Sequence, residues 1–163
     1  MSAIEWQFAD EPVSEEYVYK IGNELGFKLP RDYISCAAIN NGANVEPELF
    51  NVGNREKVFG TLLSYNNRSD EFIVDIYNSY RETLPNGLVP FAFDPGGNLI
   101  CFDYKEHEEN PIVVFWEHEN AWEKGMLMRE EGLTAEQAEE RARENVFYVA
   151  ATFTEFLDKL HDD

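Results

Sequence analysis

Residues 89–104 constrain the fold more tightly than any other stretch of this chain. Val89–Phe93 and Leu99–Tyr104 are apolar runs of strand length, joined by Asp94-Pro95-Gly96-Gly97-Asn98. Proline presets one turn dihedral and the glycines supply positive φ. The stretch therefore reads as an antiparallel hairpin, with Asp94, Pro95, Gly96, Gly97 and Asn98 serving turn geometry. A third run, Ile112–Trp116, follows the polar connection Lys105–Asn110. Three consecutive short-linked strands make an antiparallel meander. Strand alternation puts Leu99, Cys101 and Asp103 opposite Ile100, Phe102 and Tyr104, and Ile112, Val114 and Trp116 opposite Val113, Phe115 and Glu117. Both faces are largely apolar, so helices cover one face and part of the other stays exposed.

Helical signals flank this meander. Ser14 caps a helix predicted over Glu15–Leu25, with Glu15 and Glu16 at its positive end, a stripe of Tyr17, Ile21 and Leu25, and Gly26 as the stop. A second helix begins at Pro30, whose missing N–H suits the first helical position; it turns Tyr33, Ile34, Ala37 and Ala38 inward and ends at Asn40-Asn41-Gly42. Leu49–Val52 and Val58–Leu63 read as strands about the turn Gly53-Asn54. After Ser69, residues Phe72, Ile73, Ile76, Tyr77, Tyr80 and Leu84 repeat at helical spacing up to Pro85-Asn86-Gly87. Thr134 with Gln137 and Thr152 with Glu155 are two capping boxes. The first opens a helix whose apolar face is only Ala135, Ala138 and Ala142, which reads as a solvated helix of marginal packing, with Leu133 as a staple against Ala138. The second opens a helix with Phe153, Phe156, Leu157 and Leu160 on one side. Early and late helices packed on a central antiparallel sheet make an α+β fold, and 163 residues fit one domain.

Composition narrows the function. Against 13 basic residues stand 32 acidic ones, a formal charge of −19, which repels phosphate backbones and argues against nucleic acid and anionic membrane as partners. The 44% hydrophobic share, with 12 Phe, 8 Tyr and 3 Trp, argues against disorder. No apolar run approaches the ~20 residues that span a bilayer. The opening MSAIEWQFADEP carries acids where a secretory signal needs a basic and then an apolar region, so a cytoplasmic location is expected. Cys36 and Cys101 read as free buried thiols. From Tyr104 to Asp163 the chain has 16 acids and 6 bases, against 16 and 7 in the 103 residues before it, so charge density is higher toward the C-terminus. The excess exceeds the ~2–8 units that keep a small domain soluble, and it points to a basic partner.

Catalytic readings are weaker. His107, Glu109 and His118 have the residue types of a two-histidine, one-carboxylate metal site, yet the histidines sit in charge-rich stretches at the two ends of one predicted strand, and a surface role is preferred. His161 lies near the C-terminus and reads as solvated. Asp94, Asp103 and Glu117 are candidates for carboxylate acid–base work in a hydrolase, but one of a pair needs apolar burial. No G-x-S-x-G elbow is present, and Gly96-Gly97 joins strands where a phosphate loop would open a helix.

The order of the pieces is informative. Leu29-Pro30-Arg31-Asp32-Tyr33 runs into Asn40-Asn41-Gly42, where many relatives have Asn-Gly-Gly and this chain continues Asn-Gly-Ala. Then come Phe91–Asn98 with Cys101-Phe102-Asp103-Tyr104, Val113–His118, and Thr152-Phe153-Thr154-Glu155-Phe156-Leu157. This order resembles the SUKH superfamily, in its Smi/Knr-like branch, over about Ile21 to Leu160. Residues 123–145 are longer than the family pattern and read as a helical insertion in a single domain of residues 1–163. The resemblance implies an α+β fold with a central antiparallel sheet and no enzymatic activity. Many bacterial members are immunity proteins that neutralise polymorphic toxins, often nucleases or deaminases, and some eukaryotic members are regulatory modules.

Together these observations predict a cytoplasmic, non-enzymatic immunity protein without cofactor or metal, whose partner is a basic protein toxin. The expected contact surface is the meander, with Asp103, Glu106, Glu108, Glu109, Glu117 and Glu119 as charges and Tyr104 and Trp116 as aromatic anchors. A regulatory scaffold and a hydrolase using Asp94 and Glu117 are the alternatives.

Overall fold

In the computed structural model, which describes residues 4–162, the chain begins with strand β1 (Glu5–Gln7) and helices α1 (Glu15–Leu25) and α2 (Arg31–Ile39). Strands β2 (Asn44–Glu46), β3 (Leu49–Val52), β4 (Arg55–Val58) and β5 (Thr61–Leu62) follow, and then helix α3 (Ile73–Tyr80). The meander is β6 (Leu88–Phe93), β7 (Leu99–Asp103) and β8 (Ile112–Trp116). Helices α4 (Lys124–Glu130) and α5 (Ala135–Arg143), strand β9 (Val146–Ala150) and helix α6 (Phe153–Asp158) complete the chain. Seven strands form one sheet in the order β1-β2-β5-β6-β7-β8-β9, antiparallel at each neighbouring pair, while β3 and β4 form a separate hairpin. The fold is α+β.

Caps fix the helices where the sequence signals them. Ser14 Oγ accepts from the Tyr17 N–H at 3.0 Å, and Gly26 closes α1 in the left-handed region. The buried face of α1 is centred on Val18, Ile21 and Gly22, with Tyr17 and Leu25 half-buried at its margins. Pro30 is extended and caps α2 from outside, so that helix starts one residue later than its proline suggests; Tyr33, Ile34, Ala37 and Ala38 are all buried. Helix α3 is shorter than its periodicity predicts: Phe72 is its cap and Leu84 lies beyond its end, in the smaller core.

The predicted strand over residues 58–63 is divided. Arg55–Val58 pairs with Leu49–Val52, whereas Thr61–Leu62 joins the main sheet, and Gly60 makes the break at φ +76°. A Cβ on Gly60 would lie 2.1 Å from the Phe93 carbonyl oxygen, so only glycine fits both the dihedral and the space.

The meander is the spine of two cores. On one face, Ile100, Phe102, Val113 and Phe115 meet α1, α2 and α6 through a ring cluster in which Tyr33 packs on Phe91, Phe102 and Phe153. Edge-to-face pairs such as Tyr33–Phe102 and Tyr33–Phe153 add about 0.5–1.5 kcal/mol each beyond burial. On the other face, Leu99, Cys101, Val114 and Trp116 pack with Leu84, Leu88, Ile76 and Tyr80. The second face is thus covered more fully than the strand pattern suggests.

Helix α5 is better anchored than its thin apolar face predicts. Ala138 and Ala142 are buried, and the Thr134–Gln137 capping box forms in both directions. The Lys124 ammonium lies 3.4 Å from Glu139, whose carboxylate also accepts from the Asn86 N–H, and Arg143 reaches the Asn86 carbonyl oxygen and Asp103. Polar ties replace the missing hydrophobic stripe. At α6, Thr152 Oγ1 accepts from the Glu155 N–H, but the Glu155 carboxylate reaches back to Ala151 N–H, one residue before the position a capping box uses.

Candidate functional site

The five-residue turn between β6 and β7 is built around Asp94. Its Oδ1 accepts from Gly96 N–H and Asn98 N–H at 2.9 and 2.8 Å, and its Oδ2 accepts from the Asn98 amide at 3.1 Å. Gly97 takes φ +89°. His118 Nε2 lies 2.7 Å from the Gly96 carbonyl oxygen, and the His118 N–H donates to Asn98 Oδ1. Both oxygens of Asp94 are thus committed to turn geometry. Glu117 is ion-paired with both Arg55 and Lys57. The two carboxylates of the hydrolase reading are therefore engaged in structural contacts.

His107 and His118 lie beyond opposite ends of β8. At about 3.3 Å per residue the strand holds them more than about 10 Å apart, too far for one metal ion. Among the described residues no group of three or more His, Cys, Asp or Glu side chains is placed to hold one. His161 is paired through Nε2 with Asn51 Oδ1 at 2.7 Å, so it is tied down at a position that sequence position alone marks as frayed.

The residues expected to form the meander contact surface do not come together. Trp116 is only 1% exposed and sits in the smaller core, because the residues around α3 cover the face it points from. Asp103 is 5% exposed, accepts from the Lys105 N–H, and has its Oδ2 2.6 Å from Arg143 Nη1. Both are structural residues, which corrects their assignment to an exposed surface. Tyr104 is half-buried against Phe27 and donates its hydroxyl to the Lys28 carbonyl oxygen at 2.7 Å; burial raises its phenol pKa. Glu106, Glu108 and Glu109 are exposed in the β7–β8 connection, whereas Glu117 and Glu119 follow β8 at its other end. One strand length separates the two acidic groups.

Ion pairing changes the charge picture further. The nine ion pairs among the described residues draw on the carboxylates of Asp103, Glu109, Glu117, Glu131, Glu139, Glu144 and Glu155. No described carboxylate before Asp103 takes part. The dense C-terminal acids are partly neutralised, while no described acid before Asp103 lies within ion-pair distance of a base. Across the β1–β2 pair Glu5 faces Glu46, a like-charge pairing that costs stability. Glu46, Glu48, Glu56 and Asp162 line a groove of about 500 Å³ with Leu49. Residues 1–19 and 32–54 contain no Lys or Arg.

This acidic side continues along a seam. Asp10 N–H donates to the Asn41 carbonyl oxygen at 2.7 Å, Val13 N–H donates to that of Ala38 at 2.9 Å, and the Asn41 side-chain amide donates to the Glu11 carbonyl oxygen. Beside the seam lies a groove of about 580 Å³ lined by Glu11, Pro12, Val13, Ser14, Tyr17, Asn41, Tyr65, Asn66 and Asn67. Sequence reasoning missed this region because its signal was the local absence of bases rather than the density of acids.

Cys101 is buried and Cys36 half-buried, and both are free. Burial pushes the Cys36 thiol up to about 11 and the Cys101 thiol well above its ordinary value, so neither is an activated nucleophile. Among the described residues no helix is long and apolar enough to cross a membrane.

No curated protein matches the chain. The model of the SMI1 / KNR4 family (SUKH-1) matches residues 12–159, which takes in every described helix and the meander. With that match over most of its length, the chain belongs to the SMI1 / KNR4 family (SUKH-1).

Proposed function

We propose that this chain is a non-enzymatic, cytoplasmic immunity protein that neutralises a basic, nuclease-type toxin by direct protein–protein contact. Family membership supports the reading, since SUKH domains are in general non-enzymatic and include toxin-binding immunity proteins and regulatory domains. The observation that carries it is the segregation of charge: no carboxylate before Asp103 among the described residues has an ion-pair partner, and the segments around β1, β2 and the seam hold no base at all. Like charges gathered without counter-ions destabilise the free protein, and a basic surface docked on them relieves that cost. A nuclease needs a basic cleft for its substrate's phosphates, so an inhibitor that presents carboxylates competes for that cleft. The exposed Glu106, Glu108, Glu109 and Glu119 supply a peripheral negative field, while Tyr104 serves the fold.

Co-expression with the product of an adjacent candidate toxin gene tests the proposal. The expected result is rescued growth and a co-purifying complex. A toxin that stays lethal, with no complex recovered, overturns it.

A further inference from the structure

We infer that the seam between residues 8–13 and 38–43 is the docking site for a partner loop that carries Lys or Arg next to an apolar side chain; this deepens the function proposed above and rests on it. Phe8 is 83% exposed and Ile39 is 66% exposed, the two most exposed large hydrophobic residues described. Phe8 also holds φ at +60°, a left-handed conformation that a bulky side chain rarely adopts. Water contact and backbone strain both count against phenylalanine there in the free protein, and a bound apolar group would remove the first cost.

Asp10 N–H donates to the Asn41 carbonyl oxygen and Val13 N–H to that of Ala38, which ties the segment that Phe8 opens to the segment where Ile39 ends α2. Asp10 and Glu11 follow Phe8 in the first segment, outside every ion pair described. The adjoining groove of about 580 Å³ is lined by Glu11, Tyr17, Asn66 and Asn67 at its accessible wall, and no base lines it. Apolar anchors with neighbouring acids and a base-free groove select a cationic and partly apolar segment; a second copy of this chain would bring the same negative charge and be repelled.

Selection of displayed random peptides against the full-length protein tests this without any knowledge of the partner. Enriched peptides should pair Lys or Arg with an apolar residue and should lose about tenfold or more in affinity to the Phe8→Asn variant. Asparagine tolerates left-handed φ, so Phe8→Asn should melt no lower than wild type, which separates lost contact from lost fold. A control in the β7–β8 connection, Glu108→Gln, should bind as wild type does. No enrichment, enriched peptides lacking basic residues, or affinity unchanged in Phe8→Asn would each overturn the inference. If a toxin is neutralised equally well by wild type and Phe8→Asn, the immunity reading stands and this site falls. If peptides map to Phe8 but no toxin is neutralised, the site stands and the immunity reading falls.

Discussion

Arg143 of α5 places Nη1 2.6 Å from Oδ2 of Asp103 in β7. The contact fastens a helix with little apolar surface to the meander, and Nη2 of the same guanidinium holds the Asn86 carbonyl oxygen at 2.6 Å. Asp103, an expected partner-facing charge, is thereby a bolt between two elements.

Breaking this pair from one side leaves a buried carboxylate without its counter-charge. Arg143→Met should lower unfolding stability by about 2–4 kcal/mol, seen as a reduced urea midpoint. Complex formation at saturating concentration should be retained, since the pair does not touch the proposed docking surface. A midpoint equal to wild type would mean that the Asp103–Arg143 pair does not hold α5.

Trp116 fills the smaller core, and no hydrogen-bond partner reaches its indole Nε1. Trp116→Ala should cost about 3–5 kcal/mol through the cavity it leaves. Trp116→Phe should cost much less, because it also removes a buried N–H that has no acceptor. Exposed Glu119→Lys should stay within about 0.5 kcal/mol of wild type. Urea titrations of the three variants check the ranking; equal costs for Trp116→Ala and Glu119→Lys would place Trp116 at the surface.

How far the sequence speaks for the structure depends on what stabilises each part. Helices α1, α2 and α6 were legible because Ser14, Pro30 and Thr152 act locally at their ends. The meander was legible because its turn chemistry is local too. Strands β1 and β2 are three residues each and exist through pairing, β1 with β2 and β2 with β5, which no window of sequence reports. Strand β9 lies just after a highly charged helix and gains its place from β8. The break at Gly60 follows from a close approach to the Phe93 backbone, a contact distant in sequence. The distribution of unpaired charge was illegible for a related reason. Acid density can be counted along the chain, whereas neutralisation depends on pairs such as Lys28–Glu109 and Arg55–Glu117 that only the fold brings together.

Gly60→Ala adds a Cβ where the Phe93 oxygen already sits and asks alanine for φ +76°. The loss should be about 3 kcal/mol or more, with lower yield of folded protein. Thermal melting reads it directly. Gly53→Ala, with open space around the Cβ and φ at +61°, should be the milder variant.

Alkaline pH should weaken the fold. Burial raises Cys36 from 9.0 to about 11, and it also raises Cys101, Tyr33, Tyr65 and Tyr104 above their ordinary values. In each case the unfolded chain ionises first. Stability is therefore fully present below about pH 9 and is lost as pH rises, by up to about 1.4 kcal/mol per pH unit for each group. Urea midpoints measured from pH 7 to pH 11 should hold and then fall. Cys36→Ala should flatten the first part of the decline; a midpoint that rises with pH would contradict the burial of these groups.

We propose that carboxylates without ion-pair partners on the β1–β2 side draw in a basic protein. Stopped-flow association with the cognate toxin, followed against salt concentration, tests it most directly. The on-rate should drop about tenfold or more from low salt to about 0.5 M, with a shallower dependence in the Asp10→Asn/Glu11→Gln double variant. An on-rate indifferent to salt, or a double variant with the wild-type slope, would contradict it.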